Sequence, residues 1–192
     1  MTQLFFCVLY SCMQDPFVTF DLPRRYAIDL DDLQQRFVRL SAEHHPDRFS
    51  DPMEQAEAAD RIAQINEAHA MLKDPVRRAR TLVNLIENQN AREGDDASAS
   101  NDDLPPDFLM EVMEIRETME QAIENDDQAK LDELRRWAQS ERQSNLEKIA
   151  AAFDTHLNSV TTDTTPDALV GDVRQRLNVM RYLDRMLEQM PG

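Results

Sequence analysis

A chain of 192 residues with a net charge of -16 has length for one domain or two small ones, and its acidity disfavours a nucleic-acid partner, which would need a basic footprint. Only three glycines, 41% apolar residues and an abundance of Ala, Leu, Met, Glu, Gln and Arg point to an all-α protein. Two cysteines, Cys7 and Cys12, have no zinc-knuckle spacing and no second pair, so neither a disulfide framework nor a metal or other cofactor is expected, and a cytoplasmic location is the simpler reading.

Residues 1–12, MTQLFFCVLYSC, are apolar and uncharged, too short to span a bilayer and without the basic start of a secretory signal. Met13 leads straight into DPFVTFDLP, which reads as the start of a soluble domain. We therefore expect the natural start at Met13, the competing reading being a short membrane or partner anchor; no membrane association is expected.

Pro16 to Leu22 is a short apolar segment with Phe17, Val18, Phe20 and Leu22. Asp29 is placed to cap a helix running to about His44, with Asp31 and Asp32 in its favourable first turn. Leu33, Phe37 and Leu40 share a face of it, and Arg36 and Arg39 lie off that stripe and should reach solvent. Pro46 ends the helix. A second helical pattern, Glu54 to Leu72, carries Ile62, Ile65, His69 and Leu72, with Ala58, Ala59 and Ala68 permitting close approach. Asp74-Pro75 opens another helix with Val76, Ala79, Leu82, Val83 and Ile86. Residues 13–86 thus form a helical hairpin flanked by short helices.

Charge changes abruptly after that point. Net charge is -3 over residues 1–85, -11 over residues 86–130 and -2 over residues 131–192. Residues 87–104 are expected as an acidic linker, since apolar periodicity vanishes there. A basic protein surface suits this middle region better than nucleic acid does.

Residues 105–192 are expected to form a three-helix antiparallel bundle. The first helix, from about Asp107 to Asn125, buries Phe108, Val112, Ile115, Met119 and Ile123. The second, from Gln128 to about His156, carries Leu131, Leu134, Ala138, Leu146, Ile149, Phe153 and Leu157. Its polar stretch Ser140–Asn145 suggests a bend or an exposed middle. The third, about Ala168 to Met190, carries Leu169, Val173, Leu177, Met180, Leu183 and Leu187.

Two places carry candidate chemistry. His45-Pro46-Asp47 sits in the turn of the hairpin, where Pro46 fixes its own φ and so helps hold its neighbours. His44 and His45 are adjacent and lack a Glu or Cys at ligand spacing, which makes a poor metal site. No nucleophile accompanies them, so an enzyme is disfavoured; the bland alternative is that Pro46 is only a helix stop. In the bundle, Leu109, Met110 and Met113 are surplus to the buried stripe and stand among Glu111, Glu114, Glu117 and Glu120. Surplus apolar residues in an acidic surround suggest a contact patch. Val179, Tyr182 and Met186 form a second stripe on the last helix, offset from its main one.

The segment FVRLSAEHHPDRFSDPMEQAEAADRIAQINEAHAMLKDPVRRARTL resembles a J domain, the module of DnaJ-type co-chaperones. Together with DPFVTFDLPRRYAID and LPPDFLMEVMEIRETMEQAI it resembles the HscB family of J-type co-chaperones of iron–sulfur cluster assembly. That resemblance implies a co-chaperone that is not an enzyme. Its His45-Pro46-Asp47 loop, with Arg36, Arg39 and Arg48, would meet a DnaK/HscA-type ATPase chaperone and stimulate it. Relatives are more basic just before the tripeptide, where Ala42 and Glu43 stand here. Leu109, Met110, Met113, Glu114, Glu117 and Tyr182 would bind an IscU-type iron–sulfur scaffold protein as client. The protein would act as a monomer or weak dimer. The competing readings are a general J-domain co-chaperone with another client, a helical enzyme using His44 or His45, and a helical adaptor.

Overall fold

The structure, a computed structural model, describes residues 15–90, 104–158 and 166–191. Seven α-helices and one 3-10 turn occur among them, with no strand. The chain divides into two compact units, Met1–Leu85 and Ile86–Gly192. Residues 1–12, most of the acidic linker and the side chain of Leu157 lie outside the described residues.

In the first unit, α1 (Pro16–Thr19) is one turn capped by Asp15, whose carboxylate accepts from the Phe17 N–H at 2.9 Å. Asp15 is buried and also pairs with Arg24 at 2.7 Å. α2 (Leu30–Glu43) starts as its sequence demands, with Asp29 accepting from the Asp31 and Asp32 amides. α3 (Pro52–Lys73) repeats the device: Asp51 accepts from Met53 and Glu54, and Pro52 occupies the first helical position. α4 (Pro75–Asn90) begins after Asp74, which accepts from the Arg77 N–H at 2.7 Å.

Both α1 and α2 pack on α3. Phe17, Phe20, Leu33, Ile65 and Leu72 are fully buried and form the centre of this unit with Ala79 and Val83. His69 lies among aromatics, stacked on Phe37 at 4.2 Å between ring centroids and edge-on to Phe20 at 6.3 Å. Burial lowers its pKa, and Lys73 adds repulsion. Val18 is exposed because the inward side of a single helical turn is taken by Pro16 and Phe17. Two expectations are corrected here. Ala59 is exposed beside buried Ala58, one position round the helix. Arg36 does not reach freely into solvent, as described below.

In the second unit, α5 (Pro106–Glu124), α6 (Gln128–Asn158) and α7 (Pro166–Gln189) share one core. Phe108, Val112, Met119 and Ala122 of α5 meet Leu131, Leu134 and Ala138 of α6 and Val179, Leu183 and Met186 of α7. The α5 stripe ends on Ala122, and Ile123 is exposed: the repeat 108, 112, 115, 119, 122 keeps one face, and Ile123 steps off it. The turn from α5 to α6 is tight, with Asp126 at a φ of 53°, a left-handed conformation that Asp tolerates better than most side chains. α6 is a continuous helix through Ser140–Asn145 with no break, and that stretch is exposed only in part, at Ser140 and Gln143. Asn145 is buried and bonds through its amide to the Glu141 backbone carbonyl and carboxylate, both at 2.9 Å, so its polar atoms are satisfied without breaking the helix.

Candidate functional site

The loop between α2 and α3 is built from backbone and side-chain bonds of its own. His44 closes α2, its N–H reaching the Leu40 carbonyl at 3.0 Å. His45 is extended, and Pro46–Arg48 makes one 3-10 turn, held by Arg48 N–H to the His45 carbonyl and Phe49 N–H to the Pro46 carbonyl. The His45 ring caps this turn, Nδ1 accepting from the Asp47 N–H at 3.3 Å. In its neutral form the ring then carries its proton on Nε2. The Asp47 carboxylate lies 3.7 Å from the same Nδ1. Both side chains remain open to solvent, at 57% for His45 and 89% for Asp47. A short turn that orders its side chains while leaving them exposed suits contact with another molecule.

The arginines around the loop divide. Arg39 is exposed and Arg48 is exposed, with one Arg48 guanidinium nitrogen 3.3 Å from the Ala42 carbonyl, which ties the loop back to α2. Arg36 is half-buried. Its Nε donates to both carboxylate oxygens of Asp32 at 3.0 Å, and Nη1 donates to the Phe20 and Asp21 carbonyls at 2.9 Å. Those bonds stitch the end of α1 to α2, and the Asp32 hydrogen bond raises the Arg36 pKa further. Arg36 is therefore spent on the fold, and Arg39 is the accessible cation of that helix. Ala42 and Glu43 are exposed beside the loop. Arg78, which sequence reasoning missed, is buried, its guanidinium 5.1 Å from the Tyr26 ring centre; its only signal is its place beside buried Ala79 on α4.

In the second unit the apolar surplus of α5 is exposed as expected. Leu109 is 45% exposed, Met110 71% and Met113 73%, while Phe108 and Val112 on the opposite side are buried. Glu111, Glu114, Glu117 and Glu120 are exposed around them. Tyr182 is half-buried, its ring edge-on to Phe108 at 6.0 Å, and burial raises its pKa. Val179 and Met186 do not join Tyr182 at the surface: both are core residues, since α7 buries two flanks. Trp137 is half-buried against that core. Sequence reasoning also missed a cavity of about 240 Å³ beside Tyr182, lined by Leu104, Asn178, Arg181, Tyr182 and Arg185. The i, i+3, i+4, i+7 spacing of its α7 residues was the available signal.

Among the described residues, no group of three or more His, Cys, Asp or Glu is placed to hold a metal ion, and no helix is long and apolar enough to cross a membrane.

Comparison with known proteins agrees with both halves. Residues 21–81 match the family model of the DnaJ domain, and residues 104–190 match that of the HSCB C-terminal oligomerisation domain. A co-chaperone protein HscB homolog of Mannheimia succiniciproducens is 37% identical over 142 residues, covering 72% of this chain and 76% of its own. This chain belongs to the HscB co-chaperone family. A second HscB homolog, from Paraburkholderia phymatum, is 33% identical over 153 residues, 77% of this chain and 82% of its own. Among solved structures, human co-chaperone protein HscB matches with a TM-score of 0.69 at 22% identity, over 91% of this chain and 79% of that one, which is a likeness of fold. The chaperone HscB from Vibrio cholerae matches with a TM-score of 0.60 at 25% identity, over 92% and 99%. In this HscB-family chain the tripeptide falls inside the DnaJ match, and the exposed apolar patch inside the C-terminal match.

Proposed function

We propose that this protein stimulates the ATPase of a DnaK/HscA-type chaperone through His45-Pro46-Asp47 and presents to it an IscU-type iron–sulfur scaffold protein held on the α5 patch. The observation that carries the proposal is the pairing, on one HscB-family chain, of an ordered, exposed His-Pro-Asp turn with an exposed Leu109–Met110–Met113 patch. Arg39 and Arg48 supply the cations for an acidic face of the chaperone. Glu114 and Glu117 supply the acidic border of the client surface, with Tyr182 at its edge. The protein performs no chemistry; it raises the effective concentration of client at the ATPase. It works in the cytoplasm, as a monomer or weak dimer. A general J-domain co-chaperone with another client remains the competing proposal.

The test measures ATP hydrolysis by the chaperone with protein alone, scaffold alone and both together. Stimulation by both that exceeds the sum of the two supports coupled delivery. Purely additive rates would leave a J-domain activator without this client.

A further inference from the structure

Asn178, Arg181, Tyr182 and Arg185 recur at i, i+3, i+4 and i+7 and share one face of α7. With Leu104 they line the half-open cavity of about 240 Å³ described above. Its lining residues carry two guanidinium groups, an amide and a phenol, with Arg185 the most exposed of them. Its one aliphatic wall is Leu104, itself packed against the bundle core. Among the described residues neither Arg181 nor Arg185 has a carboxylate partner. Asp184, next to Arg185 and three residues after Arg181, is paired with Arg142 at 3.1 Å, and Arg116 is held by Glu120 at 3.2 Å.

Planar guanidinium forks match carboxylate geometry, and a half-enclosed setting strengthens the pairing relative to open surface. Tyr182 joins the cavity to the α5 patch, because its ring packs on Phe108, the residue before exposed Leu109. We propose that this cavity is a carboxylate subsite that takes an Asp or Glu side chain of the protein client docked on the α5 patch. The proposal rests on the client reading above and adds to it a sign. Glu114 and Glu117 of α5 call for cations on the client, while Arg181 and Arg185 of α7 call for an anion. Two opposite requirements on adjoining helices fix which way round a client binds.

Two measurements on the full chain test it. The first is NMR titration with N-acetylglutamate, following the Arg181 and Arg185 Nε–H signals and the Tyr182 amide. Saturable shifts at all three are expected in the native chain, with the Tyr182 amide unmoved in Arg181→Gln/Arg185→Gln; no shift in the native chain, or the same Tyr182 shift in the double variant, overturns the subsite. The second is affinity for the purified iron–sulfur scaffold protein. The double glutamine variant should bind about tenfold more weakly, as expected for loss of one well-formed charge-assisted pair, and should show a shallower salt dependence. Arg181→Lys/Arg185→Lys should recover part of the loss. If the native chain binds scaffold and the glutamine variant binds as tightly with the same salt dependence, the client's carboxylate is not in this cavity. If the native chain binds no scaffold, the client reading fails, while the first titration still decides whether the cavity takes a carboxylate. A drop in melting temperature for the glutamine variant, with scaffold affinity retained, would make the arginines structural and overturn the proposal.

Discussion

The two sides of α5 should respond to truncation in opposite ways. Phe108 is 8% exposed and packs edge-on against Tyr182, so Phe108→Ala removes a buried ring and an aromatic contact together. Large-to-small changes of this kind cost about 3–5 kcal/mol, and the aromatic pair accounts for roughly 1 kcal/mol of that loss. Met110 and Met113 already expose about three-quarters of their surface, so Met110→Ala/Met113→Ala should cost under ~0.5 kcal/mol, the range for open surface positions. Equilibrium urea unfolding of each variant, read by far-UV circular dichroism with the slope fitted independently, measures both. Client affinity should show the reverse order: the methionine pair should weaken scaffold binding strongly at unchanged stability. Loss of more than about 1 kcal/mol in the methionine variant would mean the patch is packed within the protein, and the division of α5 into a core face and a contact face would be wrong.

Three further outcomes follow from the first unit. Arg36→Ala should lower the melting temperature, because it releases the Phe20 and Asp21 carbonyls, whereas Arg39→Ala should leave it unchanged and weaken only chaperone stimulation; equal melting temperatures for the two would contradict the assignment. Asp15→Ala removes a buried cap and the partner of Arg24, and should cost about 2 kcal/mol in urea unfolding; a cost near zero would show the ion pair to be idle. Burial depresses the His69 pKa, so the unfolded chain binds its proton more readily. The stability His69 contributes is complete above the unfolded value of about 6.5 and is lost as pH falls toward its lower folded value. The urea midpoint should therefore drop between pH 7.5 and 5.5, and His69→Leu should reduce that drop; an equal drop in both proteins would assign it elsewhere.

Much of this architecture was legible because local signals and packing agree. Asp29 and Asp74 mark helix starts, and Leu33, Ile65, Leu72, Val112 and Leu183 keep helical spacing on buried faces. The exposure of Leu109, Met110 and Met113 was readable for the same reason: one stripe was full without them. What resisted reading depends on contacts between distant segments. Arg36 looked like a surface cation, and only the approach of the Phe20 and Asp21 carbonyls reveals its use. Asn145 looked like an exposed interruption, but a bond to the Glu141 carbonyl four residues back lets it be buried in a continuous helix. Val179 and Met186 looked like a surface stripe because periodicity cannot say that α7 buries two flanks. The Arg181–Arg185 cavity needed Leu104, which lies more than seventy residues away in sequence.

The most direct test of the proposed function is single-turnover ATP hydrolysis by the partner chaperone with the native protein, with His45→Gln and with Asp47→Asn. The His45 and Asp47 side chains are largely exposed, so both variants should melt close to the native temperature. The native protein should accelerate hydrolysis and both variants should fail to do so. Acceleration by the variants equal to that of the native protein, or none by the native protein itself, would contradict the role assigned to the His45-Pro46-Asp47 turn.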